Sequence, residues 1–219
     1  MSFWFAREDK RVTEPKKKTF TVVFDIGNVL LDWNPRHLYR KLFDDEGAME
    51  DFLARVCTQA WNEEQDRGRS FGEGVALLCD EHPAHAPMIR AYDERWSEMI
   101  PGPIEGSVAL FEGLRGAGVR LFAITNFSLE KFAVAQQRFA FLSYFEDIVV
   151  SAQEGLLKPD PAIYRRLIER NGLTAQDCVF IDDSLRNVEG AAAVGMTALH
   201  FTDPARLAAE LRALGLPGV

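Results

Sequence analysis

Five short apolar runs, separated by segments of helical spacing, are the feature of this 219-residue chain that most limits its fold. Several of them are apolar at consecutive positions, which a parallel strand covered on both faces requires. They are rich in β-branched and aromatic residues, as strands are, and they span residues 20–26, 119–125, 147–152, 178–183 and 197–202. Strand–helix alternation therefore predicts an α/β protein with a doubly wound, Rossmann-like parallel sheet.

Helix signals lie between the later runs. Asp160-Pro161 and Asp203-Pro204 each combine a preferred N-cap residue with proline at the first helical position, which predicts two helix starts. Apolar spacing and glycine stops complete the evidence. The predicted helices span residues 105–118, 160–172, 184–195 and 203–215.

Residues 35–100 break this alternation. They contain several segments of helical spacing and no convincing strand. We therefore predict a small, helical cap domain over residues 35–100, inserted into an α/β core formed by residues 19–34 and 101–219. Residues 1–18, which include a cluster of three lysines, are predicted to be a solvated N-terminal tail.

Composition limits the possible partners. The chain is 47% hydrophobic, which is enough to form a core, and its net charge of −8 argues against a nucleic-acid-binding surface. No run approaches the ~20 apolar residues of a membrane span. The three cysteines form no CxxC pair, and the N-terminus lacks a secretory signal. We predict a cytoplasmic protein, monomeric or homodimeric, without nucleic-acid or membrane partners.

Polar residues follow the ends of several predicted strands. Asp25 ends the first run, Thr125 and Asn126 end the second, and Asp182 and Asp183 end the fourth. Ligands of doubly wound sheets bind beyond the carboxyl ends of the strands. Because a buried, ionised carboxylate without partners is costly, Asp25 either emerges there to do chemistry or caps a turn.

Four segments, taken in order, resemble the motifs of the haloacid dehalogenase-like hydrolase superfamily. They are "FDIGNVL", "ITN", "KPDP" and "FIDDSLRNVEGAAAVG". The resemblance extends over nearly the whole chain from residue 20 and includes a helical cap after the first motif. It implies a phosphatase that acts on a small phosphorylated metabolite, such as a sugar phosphate.

The resemblance also implies a nucleophile and a metal. Asp25 would attack phosphorus and form an aspartyl-phosphate. Mg²⁺, which suits oxygen ligands, would be held by Asp25, by the backbone carbonyl of Gly27 and by an aspartate of the fourth motif. Alignment of "IDDSLRN" with the common pattern GDSxxD favours Asp183 as that ligand, with Asp182 second. Asn187 then stands where the pattern has its later aspartate.

Further catalytic and binding roles follow from the same resemblance. Lys158 would supply a fixed positive charge between nucleophile and phosphate and would hold Asp25 ionised. Thr125 would donate its hydroxyl, and Asn126 its backbone N–H, to phosphate oxygens. Phosphoryl transfer is largely positioning plus neutralisation of charge, so these groups fit the reaction.

One expected acid is missing. The common first motif reads DxD, and its second aspartate protonates the leaving group, but this chain has Gly27 there. General acid–base help is typically worth ~10²–10⁴-fold in rate. A substitute acid could be water, Asp32, or one of Glu63, Glu64 and Asp66 in the cap, although an ordinary solvated helix face explains these side chains too.

The missing acid leaves other functions open. Haloacid dehalogenases need no proton for their halide leaving group, so a 2-haloacid dehalogenase is one alternative. The adjacent aspartates in "IDDS" favour the metal-dependent phosphatase, because a divalent cation removes their repulsion from Asp25. A non-catalytic protein that binds phosphorylated metabolites is the second alternative.

Specificity is expected to come from residues outside the motifs. Trp33 follows the first motif closely and is predicted to line the pocket, and Arg36 is predicted to bind a second anionic group of the substrate. Trp61 and Arg67 are further candidates for substrate contacts.

Overall fold

The computed structural model describes residues 20–219, so the predicted tail at residues 1–18 lies outside the described residues. Its sheet confirms the α/β prediction: the described part contains five strands, all parallel to their neighbours. Each strand coincides with one predicted run to within two residues at either end. The strands are β1 Thr21–Phe24, β2 Arg120–Thr125, β3 Asp147–Val150, β4 Cys178–Asp182 and β5 Thr197–His200.

The strand order places β1 at the centre of the sheet. The order is β3-β2-β1-β4-β5, so the chain builds one side of the sheet from β1 to β3 and the other side with β4 and β5. The order in which strands are added to the sheet therefore reverses beside β1, and doubly wound sheets bind their ligands at such a position. Asp25, the residue after β1, lies at this position.

Helices flank the sheet. The four predicted helices are confirmed: they are α6 Glu105–Gly116, α9 Pro161–Asn171, α10 Leu185–Ala193 and α11 Pro204–Ala213. The predicted caps are present: Asp160 accepts a hydrogen bond from the Ala162 N–H at 2.8 Å, and Asp203 accepts one from the Arg206 N–H at 2.9 Å. The helices are α1 Arg36–Tyr39, α2 Glu46–Arg55, α3 Gln59–Asp66, α4 Phe71–Glu81, α5 Ala86–Glu94, α6 Glu105–Gly116, α7 Leu129–Arg138, α8 Ser151–Glu154, α9 Pro161–Asn171, α10 Leu185–Ala193 and α11 Pro204–Ala213.

Residues 35–100, hereafter the helical segment, contain α1 to α5, two short 3₁₀ helices and no strand. Aromatic side chains form much of its interior: the ring centroids of Trp61 and Tyr92 are 5.0 Å apart, and those of Phe71 and Tyr92 are 6.1 Å apart. Within residues 20–219, no helix combines the length and apolar character that crossing a bilayer would require.

Both faces of the sheet are covered by apolar side chains. Alternate residues of a strand point to opposite faces. Val22 and Phe24 accordingly join one buried cluster and Val23 joins the other, and all three are fully buried. This explains why Val22, Val23 and Phe24 are apolar at consecutive positions of β1.

The aromatic packing under β1 gives a test of the core. Phe111 of α6 is fully buried, with its ring centroid 4.9 Å from that of Phe145 and 5.9 Å from that of Phe24. We expect Phe111→Ala to lower the free energy of unfolding by ~3–5 kcal/mol, because the lost ring would leave a cavity that is enclosed on all sides. Urea denaturation followed by circular dichroism measures the change.

Leu77→Ala is the matched control. Leu77 lies on α4 with 49% of its surface exposed, so we expect a change within ~0.5 kcal/mol. Equal losses in the two variants would contradict the described packing.

Candidate active site

Asp25 is the first element of the site and lies where the central strand ends. Its backbone N–H donates to the carbonyl of Ile181 at 2.8 Å, which fixes it to the neighbouring strand β4. Its Oδ1 accepts a hydrogen bond from the Ile26 N–H at 2.7 Å. Only 8% of the residue is exposed. The strand therefore presents one buried carboxylate at the edge of the sheet.

Lys158 lies between two buried carboxylates. Its Nζ is 2.8 Å from Asp25 Oδ1 and 2.7 Å from Asp182 Oδ2, and its side chain is 1% exposed. The side chain of Asn126 holds the lysine backbone, because its Oδ1 accepts from the Lys158 N–H at 2.9 Å and its Nδ2 donates to the Lys158 carbonyl at 3.2 Å. The segment after β2 thus positions the lysine, a role for Asn126 that the sequence did not indicate.

Asp182 is fully buried and its oxygens already have several donors. Besides Lys158, the Ser184 N–H donates to Oδ1 at 2.8 Å, and Asn187 Nδ2 donates to the same oxygen at 3.0 Å. An aspartate at position 187 would instead repel Asp182. The pattern GDSxxD has glycine where this chain has Asp182. The amide of Asn187 is therefore compatible with the extra acid at position 182.

Burial and charge shift the pKa values of the cluster. The pKa of Asp25 is raised to about 7, chiefly by burial and also by the negative charge of Asp182, although Lys158 lowers it. Burial alone would lower the pKa of Lys158, but the carboxylates of Asp182 and Asp25 raise it above its usual range. Burial and the charge of Asp182 also raise the pKa of Asp183. When all three carboxylates are ionised, they carry more negative charge than one ammonium group neutralises, and the raised pKa values of Asp25 and Asp183 reflect that excess.

The donor set of this cluster fits a divalent cation. Oxygens of Asp25, Asp182 and Asp183 lie within 4.8 Å of one another. Carboxylate oxygens, with a backbone carbonyl such as that of Gly27, are the hard ligands that Mg²⁺ prefers. The excess negative charge described above supplies the electrostatic reason for a cation there.

A cavity of about 320 Å³ opens above Asp25. The sheet edge and the helical segment both contribute to its wall. Besides Asp25, Gly27, Asn126, Lys158 and Asp183, the wall includes four aromatic residues, Trp33, Phe71, Trp96 and Phe127; four polar residues of α3, Gln59, Asn62, Glu63 and Asp66; and two cations, Lys131 and Arg186.

The predicted substrate-contacting residues differ in where they lie. Trp33 lines the cavity, as expected of a residue close to the first motif. Arg36 is outside the wall, since its guanidinium pairs with Glu50 at 2.6 Å between Nη2 and Oε2. Thr125 is only 1% exposed and is also outside the wall. The positions of Arg36 and Thr125 therefore give no support to direct substrate contacts.

The other specificity candidates are engaged elsewhere. Trp61 donates from Nε1 to the Gly74 carbonyl at 3.2 Å and packs inside the helical segment. Arg67 pairs with Glu64 at 3.7 Å. Their polar groups therefore serve the helical segment itself.

Glu63 and Asp66 were candidate acids in the sequence, but most other residues of the cavity wall were not predicted. One signal could have found the polar part of it: the positions of Gln59, Asn62, Glu63 and Asp66 place them on one face of a helix. The remaining wall residues, such as Trp96, Lys131 and Arg186, come from separate elements and share no motif.

Comparison with known proteins identifies the family. The sequence profile described as "Hydrolase: haloacid dehalogenase-like hydrolase" matches residues 21–195, about four fifths of the chain. The chain belongs to the haloacid dehalogenase-like hydrolase family. The predicted resemblance is therefore confirmed.

Individual relatives agree with this assignment. The chain is 29% identical over 200 residues to the sesquiterpene phosphatase astK of Aspergillus oryzae, covering 88% of this chain and 94% of the relative. It is 24% identical over 194 residues to a phosphorylated carbohydrates phosphatase of Thermotoga maritima, covering 82% of this chain and 83% of the relative. The fold matches a magnesium complex of the haloacid dehalogenase family enzyme bt-2542 of Bacteroides thetaiotaomicron, with a TM-score of 0.65, 18% identity, and coverage of 85% of this chain and 94% of that one.

The buried lysine gives the prediction for this site. Lys158→Met leaves Asp25 and Asp182 facing each other without their cation. Removal of one partner of a buried ion pair typically costs ~3–5 kcal/mol, and we expect that loss in the free energy of unfolding. Urea denaturation at neutral pH in EDTA measures it.

Lys41→Met serves as the control. Lys41 pairs with Glu98 at 2.8 Å on the surface, where 54% of the lysine side chain is exposed. We expect a much smaller loss there, because water replaces the pairing. If Lys158→Met proved as stable as Lys41→Met, Lys158 would not be stabilising the two buried carboxylates.

Proposed function

We propose that this hydrolase is a Mg²⁺-dependent phosphatase that hydrolyses a small phosphomonoester through an aspartyl-phosphate on Asp25. The observation that carries the proposal is the placement of Lys158 between Asp25 and Asp182 at the floor of a cavity, with Asp183 beside them. That arrangement provides a fixed carboxylate nucleophile next to a fixed positive charge. The phosphatase names of the relatives support the same reaction.

The reaction divides into two displacements at phosphorus. In the first, a carboxylate oxygen of Asp25 bonds to phosphorus while the alcohol oxygen of the substrate leaves. In the second, water bonds to phosphorus and the bond to Asp25 breaks, which releases inorganic phosphate. Lys158 favours the ionised form of Asp25 against the effect of burial, and it would face the negative charge of the phosphoryl group. A bound Mg²⁺ would neutralise further charge on the phosphoryl oxygens.

The proposed metal ligands are Asp25, the backbone carbonyl of Gly27 and Asp183. Asp183 is preferred to Asp182 because it lines the cavity, whereas the oxygens of Asp182 already accept from Lys158, Ser184 and Asn187. Asp182 instead fixes the lysine.

The proposed substrate is a small phosphorylated metabolite, and the proposed cap is the helical segment. Aromatic and polar side chains share the cavity wall, which suits an organic alcohol with both apolar and hydroxyl-bearing parts. Because residues of α3 line the same cavity as Asp25, we assign residues 35–100 as a cap over a core that includes the described residues 20–34 and 101–219.

A 2-haloacid dehalogenase is the second candidate, and Gly27 is the observation that favours it. Halide leaves as a stable anion and needs no acid at that position. In that reaction Asp25 would attack carbon and no metal would be required. Asp183, which carries negative charge into the cavity without an ion-pair partner among residues 20–219, favours the phosphatase.

The test compares wild type, Asp25→Asn and the control Asp32→Asn. Asp32 lies nearby but outside the cavity wall, with its Oδ1 3.1 Å from His37 Nε2. With p-nitrophenyl phosphate, we expect wild-type hydrolysis to require Mg²⁺ and to stop in EDTA. Asp25→Asn should lose about 10³-fold or more in kcat, because the nucleophile is gone. Asp32→Asn should retain activity.

Two results would contradict the proposal. Hydrolysis of the phosphate ester by Asp25→Asn at the wild-type rate would exclude this nucleophile. Turnover of 2-chloropropionate in EDTA, without phosphate ester hydrolysis, would identify the dehalogenase instead.

A further inference from the structure

The nucleophile loop of this chain provides no proton for the leaving group. Gly27 stands two residues after Asp25, and a Cβ built there would meet no other atom within 4 Å. Packing therefore does not exclude a side chain at position 27. An alkoxide leaving group needs a proton, so an alkyl phosphatase with this loop requires an acid from elsewhere.

Asp66 is a carboxylic acid held rigidly in the cavity wall. It ends α3, is 8% exposed and lines the same cavity as Asp25 and Lys158. Asn62 Nδ2 donates to its Oδ2 at 3.1 Å, and the Ser128 N–H faces its carboxyl group. These contacts fix the carboxyl group of the helical segment against the loop that follows β2.

The surroundings of Asp66 suit proton transfer in both directions. The pKa of Asp66 is raised to about 7, chiefly by burial and also by the negative charge of Glu63, although the Ser128 N–H and the charge of Lys158 lower it. Tyr92 of α5 faces the same group, and its hydroxyl donates to Asn62 Oδ1 at 3.1 Å. Near neutral pH, both protonated and ionised forms of Asp66 are therefore populated, as a combined acid and base requires.

The other candidate acids are less well placed. Asp32 contacts His37, and Glu64 pairs with Arg67; neither lines the cavity. Glu63 does line it, but its Oε1 faces Gln59 Nε2 at 3.4 Å, and the residue is only half-buried. Among residues 20–219, Asp66 is the one buried carboxyl group of the cavity wall outside the cluster around Lys158.

We propose that Asp66 is the general acid and base of the reaction, in place of the acid missing at position 27. The inference rests on the proposed phosphatase function. In the first displacement, the Asp66 carboxyl proton passes to the leaving oxygen as its bond to phosphorus breaks and the bond from Asp25 to phosphorus forms. In the second, the Asp66 carboxylate accepts a proton from water as the water oxygen bonds to phosphorus and the bond to Asp25 breaks.

The test compares leaving groups. p-Nitrophenolate leaves as a stable anion, whereas the alkoxides of sugar phosphates such as glucose 6-phosphate need protonation. We expect Asp66→Asn to lose ~10²–10⁴-fold in kcat/KM on sugar phosphates and less than about 10-fold on p-nitrophenyl phosphate. Asparagine keeps the size and an oxygen acceptor for the Ser128 N–H, and circular dichroism checks the fold.

Two carboxylate-to-amide controls share the same helix. Glu64→Gln changes an exposed acid outside the cavity and should leave both activities unchanged. Glu63→Gln changes the other cavity acid and should affect both substrates by the same small factor.

A rescue variant separates catalysis from folding. Adding Gly27→Asp to Asp66→Asn restores an acid near the nucleophile, at a position where packing does not exclude a side chain. We expect it to recover at least about 10-fold in sugar phosphate hydrolysis. A merely structural role of Asp66 would give no such recovery.

Several results would overturn the assignment of Asp66. These are equal losses in kcat/KM on both substrate types in Asp66→Asn, a sugar-phosphate-specific loss in Glu63→Gln, or wild type that hydrolyses p-nitrophenyl phosphate but no alkyl phosphate. Each leaves the phosphatase proposal standing. Wild type inactive on every phosphate ester would instead refute the proposed function itself, and with it this inference.

Discussion

One buried ammonium group between two carboxylates is the interaction on which the site depends. Each of the three groups would be costly to bury alone. Together they are held by separate parts of the chain: Asp25 follows β1, Asp182 ends β4, and Lys158 is fixed by Asn126 from the segment after β2. The parallel sheet, with β1 at its centre, brings these segments to one edge.

The helical segment supplies the part of the cavity wall that the sheet does not. It closes the cavity with aromatic rings and a polar face of α3, so charge interactions inside are screened less than in water. Asp66 reaches from that face to the Ser128 N–H and couples the wall to the loop after β2. The chemistry proposed for Asp66 therefore depends on the place where the helical segment meets the loop after β2.

Local sequence signals predicted the fold, but they did not predict side-chain contacts between residues far apart in the sequence. The apolar runs and the Asp-Pro pairs each depend on only a few neighbouring residues, and the structure has the strands and the helix starts that they predict. The side chain of Asn126 binds a backbone 32 residues later, and Arg36 is paired with Glu50, 14 residues away. Nothing in the segment around Asp66 shows its burial, because the neighbouring residues are polar and the burial comes from packing against the sheet edge.

The central claim is that this cluster holds more negative charge than Lys158 neutralises, so that a divalent cation must complete it. Calorimetric titration of metal-free protein with Mg²⁺ tests it most directly, using wild type, Asp183→Asn and Asp32→Asn. We expect one bound ion per chain in wild type and in Asp32→Asn, and affinity at least about 10-fold weaker in Asp183→Asn. No binding to wild type, or equal affinity in all three proteins, would contradict the account.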